Sequence, residues 1–406
     1  MEFPFERIIL IVLDSVGIGA MPDAARFGPC DAASDTLGHV LERHPTALPT
    51  LEALGLANIR PFAGLSAARA PLASYGRCGL RSEGKDTTTG HWEMAGIVLD
   101  PGFPVFPDGF PRELIKAFEQ RIGRKVLGNV AASGTAIIER LGGEHLRSGS
   151  PIVYTSADSV LQVAAHEQRV AVSELYRWCT IARELCDGPW RVGRVIARPF
   201  VGAAATGFTR TRNRHDYALP PPPGMLLDQL AAGGVAVHAV GKIRDIFLGR
   251  GISSHAPMSS NRDGLEKTLA ALAAHRSGLI FVNLVDFDML YGHRNDAGGY
   301  AAALAECDRY LGRMVAALGA RDLLVLTADH GCDPTTASTD HSREYVPLLA
   351  YAPAAAATGL GTRRSLADVG QTIAENFGLA LHAGASFLGA LSGRSADSAP
   401  AARACG

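Results

Sequence analysis

The sequence predicts an α/β protein whose parallel-sheet core is interrupted by a smaller inserted α+β domain. Three observations carry this. Apolar runs rich in Val, Ile and Leu recur at Ile8–Leu13, Gly234–Val240, Gly278–Val285, Asp322–Thr327 and Val346–Tyr351. They are nearly continuous rather than alternating, as when both faces of a parallel sheet are covered. Helix-period segments lie between them, the alternation that builds parallel sheets. Finally, the chain changes character between Pro101 and Pro220, with more turns and shorter strands, and this stretch ends in the proline run Leu219–Gly224. A stiff run of that kind is typical of a domain boundary.

In chain order, Ile8–Leu13 forms the first strand and runs straight into Asp14. Lys85–Glu93 has turn residues in front and a helical pattern behind, which places a helix start near Gly90. Pro151–Thr155 reads as a short strand of the insert and Ser173–Cys186 as its helix. The sheet-forming pattern resumes at Met225. After Gly299, Leu304, Cys307, Leu311, Met314, Val315 and Leu318 repeat at helical spacing. Ser365 with Asp368 resembles a capping box opening a helix that runs to about Asn376, before Gly378. The alanine-rich tail after about Ala383 is expected to be poorly ordered. The expected division is residues 1–100 and 221–406 for a discontinuous core, and 101–220 for the insert.

Composition narrows the function. The 406 residues suffice for two domains, and 47% hydrophobic with 19% charged residues is a globular balance. Lys and Arg total 39 against 40 Asp and Glu, without the basic excess of a nucleic-acid binder. No stretch approaches the 18 apolar residues of a membrane span. The seven cysteines are scattered and form no CxxC pair, which argues against a disulfide framework and for a reducing cytoplasm.

Four Asp/His clusters stand out. Asp14 follows the first strand; Asp288 and His293 follow Gly278–Val285; Asp329-His330, with His341 further on, follows Asp322–Thr327. These three share the carboxyl end of a predicted core strand, where open α/β sheets place ligands. The fourth cluster is Lys85–Glu93. Taken singly, a strand-end Asp is a turn former or helix cap, and a lone His a hydrogen-bonded structural group. Three Asp and three His at one sheet edge instead suit Mn, Zn or Fe, and paired metals recur in phosphoryl transfer.

Six segments carry a resemblance: Ile9–Gly19, Gly84–Glu93, Tyr154–Gln162, Asn213–Tyr217, Asn283–His293 and Thr327–Pro334. In order and without a missing block from Arg7 to about Leu379, they resemble the phosphopentomutases of the alkaline phosphatase superfamily. The resemblance implies an alkaline-phosphatase-like core and interconversion of ribose or deoxyribose 1-phosphate and 5-phosphate, with sugar phosphates as the partners. It implies that Thr87 carries the transferred phosphate and that the intermediate is a sugar bisphosphate. One metal would be held by Asp14, Asp329, His330 and Thr87, the other by Asp288, His293 and His341. Both would be Mn2+, with Zn2+ or Co2+ as substitutes and a sugar bisphosphate as activator.

The chemistry is consistent with these residues. A threonine hydroxyl needs an activator, and Gly84–Glu93 holds no evident triad, whereas a coordinated metal lowers its pKa. A helix starting near Gly90 would aim its amides at the phosphate. A mutase also needs a second phosphate site and must keep water off the phosphothreonine. Six arginines fall within Arg191–His215, which contains no acidic residue, and guanidinium suits phosphate. Arg198 and Arg214, with Lys242, are the expected phosphate ligands, and Ser156 and Asp158 the expected ribose contacts. Arg244 beside Lys242 departs from the family pattern.

Rival readings are a two-metal phosphatase or a cofactor-independent phosphoglycerate mutase on the same platform, a dinucleotide-binding oxidoreductase and a non-catalytic metal binder. Thr87 and the Tyr154–Gln162 segment count against the first two. Pro22 stands where the oxidoreductase fingerprint begun by Gly17 and Gly19 needs its third glycine. A non-catalytic relative would be expected to lack Thr87 or a ligand.

Overall fold

The computed structural model describes residues 4–156 and 159–391. The chain divides into two compact units, Met1–Pro101 with Pro221–Gly406, and Gly102–Pro220. The first is built on an eight-stranded mixed sheet in the order Ser254–Ala256, Val237–Val240, Gly278–Leu284, Arg7–Leu13, Asp322–Thr327, Val346–Tyr351, Ser74–Cys78 and Gly359–Arg363. The first five are mutually parallel. Three adjacent strands at the centre of the whole sheet, Gly278–Leu284, Arg7–Leu13 and Asp322–Thr327, are buried at every residue, which is why they read as unbroken apolar runs.

Val346–Tyr351 departs from the parallel expectation and pairs antiparallel with both neighbours. Its connection to Asp322–Thr327 contains no helix, and a parallel return needs a crossover of a dozen residues or more, usually helical.

The helix after Gly299 spans Ala297–Ala317 and buries Leu304, Cys307, Leu311 and Met314, as its spacing predicts. The capping box at Ser365 does not form: the helix Ala367–Asn376 has no side-chain cap on its N-cap residue, Leu366. The Ser365 hydroxyl donates instead to Glu93, 2.7 Å away, and Asp368 receives Arg363 Nε at 2.7 Å. The first element after the proline run is a helix, Leu226–Ala232, and the strand that follows starts only at Val237. Beyond Ala383 the chain is ordered further than its composition suggests. Phe387, Leu388 and Leu391 are buried, the last two in the short helix Leu388–Leu391.

The second unit carries a six-stranded mixed sheet. Leu127–Ala131, Ile152–Thr155, Val160–His166, Arg194–Ala203 and Gly207–Arg210 lie in that order, and His215–Ala218 also pairs with Arg194–Ala203. It has its own core. Phe118 and Trp178, from the helices Arg112–Ile122 and Val172–Leu185, pack with Val163 and Val195 of the sheet. Ile137 and Ile138, from the helix Gly134–Ser148, pack with Tyr154 and Phe200. No described helix is long and apolar enough to cross a membrane.

Candidate metal centre and nucleophile

Register sets the site. Leu13 is level with Leu284 on one side, and Val12 with Thr327 on the other. The three central strands therefore end together, and the residues just beyond them, Asp14, Asp288 and Asp329-His330, emerge at one edge. Ser15, next after Asp14, holds φ 73°, an uncommon conformation for a residue with a side chain. It is fixed there by its amide, which donates to Asp329 Oδ1 at 3.1 Å, and by its hydroxyl, 3.2 Å from the Tyr300 hydroxyl. Asp288 lies in a π-helical turn, Phe287–Tyr291, a local form frequent at functional sites.

Around His330 the first ligand group assembles. Its Nε2 is 3.5 Å from Asp14 Oδ1, 3.4 Å from Asp329 Oδ2 and 3.2 Å from Thr87 Oγ1. Asp288 gathers the second: His293 Nε2 lies 3.2 Å from its Oδ2, and His341 Nε2 3.5 Å from its Oδ1. Three sets of potential ligand atoms lie within 4.8 Å of one another: Asp14, Asp329 and His330; Asp288, His330 and His341; and Asp288, His293 and Cys332. His330 thus faces both carboxylate groups. Cys332, whose Sγ is 3.9 Å from His293 Nδ1, was not among the sequence candidates.

Whether these residues fit a metal is decided by their unpaired atoms. Asp14 Oδ1, Asp288 Oδ1 and Asp329 Oδ2 are all buried without a hydrogen-bond partner among the described residues. A buried unpaired carboxylate oxygen is costly, and here each of the three carboxylates leaves one facing its histidines. Oxygen and imidazole nitrogen in this combination suit divalent first-row ions.

The electrostatics follow. Burial, then the Asp329 and Asp288 carboxylates, push Asp14 up to about 7. Burial opposes the charged form of His330, yet Asp329, Asp14 and Asp288 together push it up to about 9. Against the same burial, His330 and His91 hold Asp329 below the ordinary carboxylate range. His293 and His341 hold Asp288 well below it. Two carboxylates against one imidazolium cannot both ionise freely, and Asp14 is the one that yields.

Thr87 opens the helix Thr87–Met94, three residues earlier than the sequence suggested. Asp86 is its N-cap and accepts from the amides of Thr88 and Thr89, so those two amides are already occupied rather than free for a phosphate. The helix lies close against the Asp329 loop because Gly90 has no side chain: a Cβ there would sit 2.4 Å from the Asp329 carbonyl oxygen. One turn on, His91 Nε2 is 3.3 Å from Asn283 Nδ2, which can only donate, so the proton sits on Nδ1. That Nδ1 faces Thr87 O at 2.9 Å and Asp329 Oδ2 at 3.1 Å. Asn283 Nδ2 also donates to Asp14 Oδ2 at 2.7 Å. Sequence reasoning missed both residues. His91 stands four positions after Thr87, on the same helix face, and Asn283 is a polar residue inside a wholly buried strand.

Further out, Glu93 is buried and accepts from the amides of Arg81, Ser82 and Leu366 and from Ser365 Oγ. The Arg343 guanidinium donates to the carbonyls of Leu80, Ser82 and Gly84. Lys85 bridges Asp31 and Asp340. Together these pin the loop that carries Thr87. The glycines that suggested a dinucleotide site have a structural cause: a Cβ on Gly17 would meet the Glu344 carboxylate at 2.3 Å, and Gly19 holds φ +107°.

In the second unit, Arg198 Nε donates to Gln162 Oε1 at 2.9 Å. Arg214 makes a two-pronged pair with Asp216, at 2.7 Å for each contact, a carboxylate just beyond the acid-free stretch. Burial raises the Tyr154 hydroxyl pKa, opposed by Arg198, Arg210 and Arg214. Ser156 is half-buried. Asp158 lies outside the described residues. In the first unit Lys242 is half-buried and Arg244 is exposed.

The model of the metalloenzyme superfamily matches residues 6–381. A phosphopentomutase of Desulfitobacterium hafniense is 56% identical over 95% of this chain and all of its own length. One of Caldanaerobacter subterraneus is 54% identical over 94% of this chain and 97% of its own. A solved protein of Pyrococcus horikoshii, 14% identical, shares the fold with a TM-score of 0.50 over 95% of this chain and all of that one. With identities at that level running almost end to end, the chain belongs to the phosphopentomutase family of the metalloenzyme superfamily.

Proposed function

We propose that this chain interconverts ribose or deoxyribose 1-phosphate and 5-phosphate, with Thr87 as the residue that carries the phosphate between them. The observation behind this reading is the approach of Thr87 Oγ1 to His330 Nε2, at 3.2 Å, where His330 also faces Asp14, Asp329 and Asp288. Asp14, Asp329, His330 and Thr87 would hold one divalent ion, and Asp288, His293 and His341 the other. Mn2+ is the ion proposed, with Zn2+ or Co2+ as substitutes. When bound, the ions offset charge on the phosphoryl oxygens and favour the ionised threonine hydroxyl.

The transfer balances without water. The sugar's free hydroxyl oxygen forms a bond to phosphorus as the bond from phosphorus to Thr87 Oγ1 breaks, and the hydroxyl proton is released. The resulting sugar bisphosphate turns end for end. Thr87 Oγ1 then takes the phosphate from the other position, and the freed sugar oxygen recovers a proton. Asp86, through the amides of Thr88 and Thr89, keeps Thr87 at the helix start. His91 holds Asp329 in place. In this reading the unit Gly102–Pro220 supplies substrate contacts: Arg198 and Arg214 are proposed phosphate ligands and Ser156 and Asp158 ribose contacts, and in the first unit Lys242 is a further proposed phosphate ligand. A sugar bisphosphate would prime an unphosphorylated Thr87. The six cysteines among the described residues are all free, which fits work in a reducing cytoplasm.

The test is incubation with Mn2+ and ribose 1-phosphate, following ribose 5-phosphate and free phosphate together by phosphorus NMR. Isomerisation without phosphate release is expected. Phosphate release without isomerisation would mean a phosphatase on the same residues and would overturn the role given to the second unit.

A further inference from the structure

Across the core sheet from the metal centre lies a second cationic feature, which the mutase reading does not use. The edge strand Gly359–Arg363 is four strands along from Arg7–Leu13, about 19 Å at about 4.8 Å per strand. Beside it is a cavity of about 770 Å³ whose lining includes Arg81, Arg363, Arg364, Ser365, Asp368 and His382. Three guanidinium groups face one carboxylate, an excess of two positive charges before His382 is counted. The carboxylate is already committed, because Asp368 Oδ2 receives Arg363 Nε at 2.7 Å and its Oδ1 receives the Ala385 amide. Arg363 Nη2 in turn donates to the Ala385 carbonyl. Among the described residues the side chains of Arg81 and Arg364 have no hydrogen-bond or ion-pair partner, and both are exposed.

The walls are rigid. The Arg81 amide and the Ser365 hydroxyl both donate to the buried Glu93 carboxylate, at 2.8 and 2.7 Å. Arg363 stacks over Phe387, 5.7 Å from the ring centre. A preformed concavity of small-molecule size, with two uncommitted forked donors on fixed backbone, matches an anion that accepts several hydrogen bonds at once. We propose that this cavity binds a phosphate-bearing small molecule, at a site separate from Thr87.

The experiment is equilibrium dialysis of the metal-loaded full chain against radiolabelled inorganic phosphate, at about 0.15 M salt to screen loose surface binding. The native chain should retain one phosphate more than Arg81→Ala/Arg364→Ala, or bind the weaker-held one at least tenfold more tightly. Ribose 1-phosphate turnover in phosphate-free buffer should agree within about twofold between them. Arg364→Glu, a single change at an exposed side chain, should give the same loss and covers the case in which the double variant misfolds. Displacement of the extra phosphate by ribose 5-phosphate, or by ADP, identifies the organic part of the ligand. Equal retention by all three chains overturns the proposal, as does displacement by sulfate as readily as by either phosphate ester.

Discussion

Replacing Asn283 with leucine isolates what holds Asp14 for its ion. The side chain is buried within the strand Gly278–Leu284, and leucine keeps its branching at Cγ while replacing both polar atoms with methyl groups. Two energies change in opposite directions. Asp14 Oδ2 loses a donor at 2.7 Å, and a hydrogen bond to a charged group contributes about 1.5–3 kcal/mol. The Asn283 carbonyl oxygen, itself buried without a partner, disappears, relieving about 1–3 kcal/mol. These two terms together should therefore change the stability of the metal-free fold by less than about 2 kcal/mol. Metal binding has no such compensation. Asp14, already raised to about 7, loses the donor that favours its ionised form, and partners of this outer kind govern about 10- to 100-fold in affinity. Urea unfolding of the metal-free chain and Mn2+ titration against a competing chelator measure the two separately. An affinity change below about threefold, with stability preserved, would refute the claim that Asn283 positions Asp14.

Thr87→Ala should cut isomerisation by more than about 10⁴-fold, as removal of a nucleophile does, while metal content by mass spectrometry stays unchanged. Gly90→Ala drives a Cβ to within 2.4 Å of the Asp329 carbonyl; overpacking of this kind costs about 1–3 kcal/mol, and the displaced Thr87 should lose about 100-fold in kcat. In the metal-free chain, Asp14 raised to about 7 and His330 raised to about 9 bind protons that the unfolded chain has released. Their stabilisation is complete below the unfolded values and is lost as pH rises through 7 and 9. An ion must displace those protons, so its affinity rises over the same window. The drop in Tm on adding chelator should therefore widen from pH 6 to 8, with each ion at a hundredfold excess over its Kd adding about 2.7 kcal/mol; a drop that narrows would contradict the assignment.

The sequence reading succeeded where a residue's environment is local or periodic. The buried strands were legible because burial on both faces forces unbroken apolar runs, and Asp14, Asp288 and Asp329 were legible because each stands just past such a run. Strand direction was not, because Val346–Tyr351 is as apolar as the parallel strands of the same sheet. Only the missing helical pattern between Thr327 and Val346 could have marked it as antiparallel. The helix start was misplaced although Asp86 is a strong N-cap type. The failed capping box has a different cause. Ser365 is drawn away by Glu93, 272 positions distant, a contact that no local pattern encodes. Arg214 shows the same limit at short range, since its partner Asp216 lies two positions on, outside the arginine run.

Two kinds of buried acid in the core unit contrast. Glu93 receives three amides and a hydroxyl. Glu344 receives the amides of Gly19 and Thr36 and the hydroxyls of Thr36 and Ser342. Asp308 receives the amides of Thr50 and Leu51. Each of these is an anchor, with its charge met by donors from the surrounding backbone. Asp14, Asp288 and Asp329 are buried as deeply, yet each keeps one oxygen unpaired and turned toward histidines. Folding alone gives no reason to leave three such atoms unmet in one place, since each carries a desolvation cost that one donor would remove. The same chain meets that demand at three other acids. The unmet oxygens therefore mark the positions where a ligand from outside the chain, a cation in this charge environment, completes the structure.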